Sequence, residues 1–348
     1  MLFNKTVAVV VPAYNEEKQI DRVLRTMPNF VDRIIVVNDC STDNTAGVVL
    51  SYIKEDRAIG KIIVPDHVEA DGDQYDRAEK LLKEKQQDDL RHYIPAEIAN
   101  TYPATDRVIL INHLKNGGVG AAIARGYKWC LDHKIDCTAV MAGDGQMDPS
   151  ELEKICKPVL TEDIDYVKGN RLIHGSARLI IPKIRFFGNS MLSILTKIAS
   201  GYWHVSDTQS GYTAISLAAL NAIKIHDIYR SYGMPNDMLV KLNIAFCTIK
   251  EIKIKPVYDI GEISKMKVYK VIPRISWLLF KSFFKRLWLK YLFRDFHPLF
   301  LLYHFAIAVG IMALPYGLKV LMHTFSGETV SPTTMLAFFF LFTSSFQS

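Results

Sequence analysis

Cysteine is scarce in this sequence and carries no pattern. The five residues, Cys40, Cys130, Cys137, Cys156 and Cys247, make no CxxC pair and no zinc spacing, and their number is odd. That excludes a disulfide scaffold or zinc module and fits reduced thiols in a cytosolic compartment. A glycine-rich loop is missing after the first β-branched run, where a dinucleotide fingerprint would have to sit. Gly118-x-Gly120 follows a later run and has no acidic partner about 20 residues on, so a nicotinamide oxidoreductase is disfavoured. No low-complexity linker and no internal repeat breaks the chain. The opening, MLFNKTVAVVVPAYNEE, turns charged after a few apolar residues and does not read as a signal peptide.

Acid is absent from residues 264–294, which hold nine basic side chains: Lys265, Lys267, Lys270, Arg274, Lys281, Lys285, Arg286, Lys290 and Arg294. The whole chain of 348 residues has 42 Lys and Arg against 36 Asp and Glu, a net +6. Without those nine, 33 basic residues face 36 acidic ones, so the body is −3 and the collar +9. A nucleic-acid binder with a basic body is thereby disfavoured. Apolar residues make up 49% and charged residues 22%, which excludes a disordered chain and allows a sizeable core. The mean hydropathy of +0.09 is high for a soluble enzyme and points to membrane contact.

The first 60 residues alternate strand and helix. Thr6–Val11 is a β-branched run ended by Pro12, the pattern of a strand buried on both faces. Ile20, Val23, Leu24 and Met27 form a helical stripe, Arg33–Val37 a second strand, Ala46, Val49, Leu50 and Ile53 a second stripe, and Lys61–Val64 a third strand. This rhythm predicts an α/β fold with a parallel, doubly wound sheet. Residues 65–106 break it, with one helix around Ala78–Leu90, and read as a solvated insertion, with a lid or partner surface as the alternative. The rhythm resumes at Arg107–Asn112, then an amphipathic helix carrying Val119, Ala122, Ile123, Gly126, Tyr127, Cys130 and Leu131, then a strand at Cys137–Ala142.

Ile272–Leu292 mixes aromatics with Lys and Arg and reads as an interfacial amphipathic helix. Phe296–Leu318 has no Asp, Glu, Lys or Arg; at about 1.5 Å per residue it is long enough to cross a bilayer core. A second, shorter candidate span covers 330–348. The expected organisation is a catalytic domain over 1–260, a basic juxtamembrane segment over 261–295 and a membrane region over 296–348. The positive-inside rule places the large domain in the cytoplasm, at the cell membrane.

Ligands in open parallel sheets bind beyond the carboxyl ends of strands. Three such ends carry acids or amides: Pro12-Ala13-Tyr14-Asn15-Glu16-Glu17, Asn38-Asp39-Cys40-Ser41-Thr42-Asp43-Asn44-Thr45 and Gly143-Asp144-Gly145-Gln146-Met147-Asp148-Pro149. A crevice lined so suits a ribose and a metal-bound diphosphate. Each signal alone has a plainer reading. Asp43 or Asn44 could cap a helix, Asp148 with Pro149 and Glu151 reads as a helix start, and Asn116-Gly117-Gly118-Val119-Gly120 could serve an anion or a tight turn.

In order along residues 6–260, these segments, together with Gly169-Asn170-Arg171, Asp207-Thr208-Gln209-Ser210-Gly211-Tyr212 and Pro235-Asn236-Asp237, resemble a family 2 glycosyltransferase of the GT-A fold. The resemblance is specifically to membrane-attached dolichyl- or polyprenyl-phosphate sugar transferases. It implies an inverting transfer from a nucleotide-diphosphate sugar to a polyprenyl phosphate. Pro12, Tyr14, Glu16 and Asp39 would line the base and ribose pocket, and Gly118 would open the Gly-rich helix start. Asp144 would bind Mg²⁺ or Mn²⁺ on the diphosphate, and Arg171 would reach a donor or acceptor phosphate. Asp207 and Asp237 are the candidate catalytic carboxylates. Lys265 and Lys267 are candidates for the lipid phosphate, with juxtamembrane attraction to anionic lipid as the plainer reading. Ala142 stands where the family's D-x-D has its first Asp, leaving Asp144 alone. Two further readings stay open: a transferase extending a surface glycan, though a Q-x-x-R-W-like motif is missing, and a membrane-anchored pseudoenzyme. Self-association is left open, and a lipid bilayer is an expected partner.

Overall fold

Small and β-branched residues such as those from Thr6 to Val11 pack well on a pleated surface covered on both sides. In the computed structural model they become β1 (Val7–Ala13), every residue of it buried. The structure describes residues 1–58, 81, 84, 85, 88–180, 183–257 and 268–347. The strand expected at Lys61–Val64 lies outside them, as does most of the helix expected at Ala78–Leu90.

Further strands are β2 (Arg33–Asn38), β3 (Ala96–Ile98), β4 (Val108–His113), β5 (Cys137–Val140), β6 (Tyr166–Asn170), β7 (Thr213–Ser216) and β8 (Ile249–Lys253). They form one sheet in the order β3-β4-β2-β1-β5-β7-β6-β8. β4, β2, β1 and β5 run parallel, as do β6 and β8, while β3 and β7 are antiparallel to their neighbours. The α/β class and mostly parallel sheet expected from the sequence are what the chain adopts. Strand order reverses at β1, so the carboxyl ends of β1, β2 and β5 open the switch-point crevice where such sheets hold ligands.

Pro12 does not end β1; it pairs opposite Val37 within the strand. The last β1–β5 pair is Val10 with Val140, and the Pro12 carbonyl accepts the N–H of Gly143 beyond it. The N–H that proline lacks would point the same way as that carbonyl, toward the β5 side and away from β2.

Side chains alternate across β1. Val7, Val9 and Val11 face a layer with α1 (Ile20–Arg25), α2 (Thr45–Ala58) and α4 (Leu152–Thr161). Ala8 and Val10 face α3 (Val119–Asp132), α7 (Leu217–Ala222) and α8 (Met234–Ile244). The stripe Ala122, Ile123, Tyr127 and Cys130 is the buried face of α3. Gly126 lets that helix lie on the sheet, because a Cβ there would come within 2.4 Å of Val10 Cγ1. A short α5 (Ala177–Ile180) precedes α6 (Lys183–Ser200). A smaller cluster, Leu192, Ala199, Val240, Ile244, Ile275 and Leu279, joins α6, α8 and α9 (Val268–Trp288).

Residues 1–283 form one compact unit and 284–348 another. In the second, α10 (Pro298–Ser326) has 29 residues and is long and apolar enough to cross a membrane. It begins with a proline and runs past Lys319, longer than the span read at 296–318. α11 (Pro332–Gln347) has 16 residues, about 24 Å, which is short of a hydrocarbon core of about 30 Å. The two helices pack closely where side chains are small. Ser345 Oγ donates to the Ala306 carbonyl at 2.8 Å, and Gly317 lies against the Phe338 ring.

Candidate active site

Two turns at the ends of β1 and β2 are laced together. Asn15 adopts a left-handed φ of 55°, Cys40 one of 59°. Asn15 N–H donates to Ser41 Oγ at 3.0 Å, and its Oδ1 accepts Thr42 N–H at 2.8 Å. Glu16 N–H reaches Thr45 Oγ1 at 2.9 Å, and Glu17 N–H reaches Asp43 at 3.1 Å. Asp43 also accepts the N–H of Thr45, first residue of α2, so it serves the helix start. Pro12 is buried at the floor, Glu16 half-buried and Tyr14 exposed at the rim.

Asp39 sits just past β2, almost fully buried. Its Oδ1 meets His113 Nδ1 at 2.7 Å and accepts Gly117 N–H at 2.8 Å; Oδ2 accepts Gly118 N–H at 2.7 Å. Burial works against its ionisation. The His113 and glycine hydrogen bonds outweigh that and hold the carboxyl below the usual carboxylate range. Asp39 therefore grips the Gly-rich turn. Gly118 is held at φ +86°, and Gly120 N–H donates to the Arg230 carbonyl at 2.9 Å. Amides at this helix start are thus committed within the chain, and the glycines serve a close backbone approach. A Cβ on Gly120 would stand 2.0 Å from the Tyr229 carbonyl oxygen. Gly120→Ala is expected to destabilise the domain by about 2 kcal/mol or more, measured by chemical unfolding.

Asp144 follows β5 and is half-buried. Its Oδ1 accepts Gln146 N–H at 3.0 Å across Gly145, whose φ is +75°. Asp148 behaves as the helix-start reading has it, capping Pro149–Glu151 by accepting Ser150 N–H at 2.9 Å. Tyr212 Oη donates to the Asp148 carbonyl at 3.0 Å, which ties this loop to the 207–212 segment. No group of three His, Cys, Asp or Glu among the described residues could hold a metal. A divalent ion here would therefore depend on Asp144 together with substrate phosphate oxygens and water, a donor set that hard cations accept.

Beside β6 four charges close a box. Asp207, fully buried, grips Arg171 through Nε at 2.8 Å and Nη2 at 3.1 Å, and accepts the Arg171 N–H at 3.1 Å. Lys168 Nζ, equally buried, donates to the Ser210 carbonyl. Glu251 on β8 accepts the N–H groups of Ser206 at 2.8 Å and Asp207 at 3.0 Å, and Asn170 Nδ2 at 2.7 Å. Burial disfavours the Asp207 carboxylate, but Arg171 and then Lys168 outweigh it and hold the carboxyl low. Burial pushes the Lys168 ammonium down to about 8, with Asp207 pulling the other way. A carboxylate held low by an arginine fork is a poor proton acceptor. Asp207, a candidate catalytic carboxylate from the sequence, holds Arg171 here, whose side chain stays 23% exposed.

Asp237 occupies the first turn of α8 and is buried. Its Oδ2 accepts Tyr229 N–H at 2.9 Å and Lys241 Nζ at 2.6 Å. It is thus a paired acid that anchors the 229–231 segment against which Gly118 and Gly120 pack. Neighbouring Asn236 is fully buried and accepts Thr196 Oγ1 at 2.9 Å and Gln209 Nε2 at 2.8 Å.

The structure brings Pro12, Glu16 and Asp39 to one end of the sheet with Asp144, and joins Arg171 directly to Asp207. Lys265 and Lys267 lie outside the described residues. Gly169 and Asn170 are the last residues of β6. Lys168, Glu251 and His113 escaped the sequence reading. A lysine inside the buried strand Tyr166–Asn170 was the available signal for the first.

Residues 8–69 and 70–224 match the sequence model of glycosyl transferase family 2. The chain is 28% identical over 256 residues to a UDP-N-acetylglucosamine–dolichyl-phosphate N-acetylglucosaminyltransferase of Methanococcus voltae, covering 73% of this chain and 87% of that one. It is 24% identical to a dolichyl-phosphate beta-glucosyltransferase of Trichomonas vaginalis, covering 80% and 73%. Its fold is like that of M. tuberculosis glucosyl-3-phosphoglycerate synthase, with a TM-score of 0.50, 18% identity and 81% of each chain covered.

Proposed function

Because the chain belongs to glycosyl transferase family 2, we propose that this glycosyltransferase moves a sugar, with inversion, from a nucleotide-diphosphate sugar to a polyprenyl phosphate at the cytoplasmic face of the cell membrane. One observation carries the choice of acceptor. Both carboxylates singled out as catalytic candidates are committed to cations, Asp207 to Arg171 and Asp237 to Lys241. A hydroxyl acceptor needs its proton removed, whereas a phosphate oxygen is already anionic and attacks without a base. The dolichyl-phosphate acceptors named for the relatives support the same reading, as do α10 and the nine basic residues before it.

Pro12, Tyr14, Glu16 and Asp39 line the donor pocket, with Gly118 held by Asp39 at its edge. Asp144 would hold Mg²⁺ or Mn²⁺ jointly with the diphosphate, and the ion when bound offsets charge on the leaving nucleotide. Arg171 meets a substrate phosphate, and Lys265 and Lys267 meet the lipid phosphate. The acceptor oxygen then attacks the anomeric carbon as the bond to the donor diphosphate breaks.

The test incubates membranes containing the protein with nucleotide sugars and polyprenyl phosphate, and identifies products by mass spectrometry. A lipid-linked sugar is expected. Extension of a soluble glycan with no lipid product under any donor would overturn the reading.

Lys168 gives the site a pH dependence. Below about 8 its ammonium balances the box; above it the ammonium is lost and one net negative charge is left to repel phosphate. The KM of the substrate whose phosphate meets Arg171 is expected to rise through that range. Lys168→Met, neutral throughout, should show the raised KM at every pH and no such limb.

A further inference from the structure

Glu251 stands on β8 at the edge of the sheet, opposite Lys168 in the β6–β8 register. No motif points to it, and its carboxylate makes two kinds of contact. Oε1 accepts two backbone N–H groups, of Ser206 and Asp207, and so fixes the loop from which Asp207 grips Arg171. Oε2 accepts Asn170 Nδ2, and Asn170 Oδ1 in turn accepts the N–H groups of Leu172 at 2.9 Å and Ile173 at 3.2 Å. That second chain fixes the turn on which Arg171 stands. One carboxylate therefore orients both halves of the Arg171–Asp207 pair.

We propose that Glu251 is a positioning residue that preassembles the phosphate-binding arginine, setting the placement of the Arg171 guanidinium through Asn170 on one side and Asp207 on the other. This rests on the reading above that Arg171 meets a substrate phosphate. Three donors converge on Glu251, and a carboxylate, which is all acceptor, satisfies them together. An amide of the same shape must turn its NH₂ toward Asn170 Nδ2 or toward the two backbone donors. Either choice frees one half of the pair while keeping the volume.

The experiment measures kcat and both KM values, for the nucleotide sugar and for polyprenyl phosphate, on the full-length protein in detergent. Glu251→Gln should raise one KM roughly tenfold while kcat at saturation and the other KM stay within about twofold, as expected when ground-state binding alone is lost. The KM that moves identifies whether the phosphate belongs to donor or acceptor. Glu251→Asp keeps charge and acceptors but retracts them by one methylene, and should fall between; it also serves as the readout if the amide variant does not fold. Arg171→Gln should raise the same KM, and the double variant should be no worse than Arg171→Gln alone.

A Glu251→Gln protein with a lowered melting temperature and unchanged KM values would reduce the residue to a structural tie and overturn the proposal. Additive effects in the double variant would do the same. If Arg171→Gln itself leaves both KM values unchanged, the assignment of Arg171 to phosphate fails instead, and the two failures are told apart.

Discussion

Replacing Asp144 with asparagine is expected to lower turnover by roughly 100-fold or more while leaving the fold intact. The loop conformation is set by Oδ1 accepting the Gln146 N–H and by the positive φ of Gly145. An asparagine side chain keeps that acceptor and so keeps the turn. What it loses is the charge. Ala142 stands two residues earlier, where the D-x-D pattern has its first carboxylate, and no group of three possible metal ligands occurs among the described residues, so the site leans on the Asp144 charge. Removal of divalent ions with a chelator should abolish wild-type activity, and Mg²⁺ or Mn²⁺ should restore it. The asparagine variant should stay inactive at concentrations that restore the wild type, with an unchanged melting temperature. Undiminished turnover in that variant would show that Asp144 is not the metal residue.

Much of the crevice at the ends of β1, β2 and β5 was legible because strong local patterns carry it. The buried run of β1 and the stripe of α3 each commit a segment to one face, and local periodicity reports that. The cap at Asp148 was legible for the same reason, since Pro149 and Ser150 follow it directly. Direction was not: β7 has the buried pattern of any inner strand, and only its pairing with β5 and β6 shows that it runs backwards. The box of charges beside β6 was hidden by distance along the chain. Asn170 meets Glu251 across 81 residues and Arg171 meets Asp207 across 36, so no window of sequence contains the pair. In the sequence Asp207 stands only as a candidate catalytic carboxylate, with no partner in view. Its burial against Arg171 is a property of the assembled sheet.

That burial sets the largest stability effect. Asp207→Asn is expected to cost about 3–5 kcal/mol, because it leaves Arg171 and Lys168 with one carboxylate between them in a desolvated site. The cost is specific to breaking the pair. Arg171→Met with Asp207→Leu removes both charges and should recover much of the stability, though none of the activity, since Arg171, proposed to meet a substrate phosphate, is gone. The pH dependence has a definite sign. The Asp207 carboxyl is held below its ordinary value in the folded state. Its contribution is therefore full above about pH 4 and is lost as pH falls through the lowered native value. Wild-type protein should show this acid limb in its unfolding free energy, and the Met/Leu double variant should show a shallower one. If Asp207 instead acted as a catalytic base, Asp207→Asn would abolish kcat with little loss of stability, and the double variant would be no more stable than the single one.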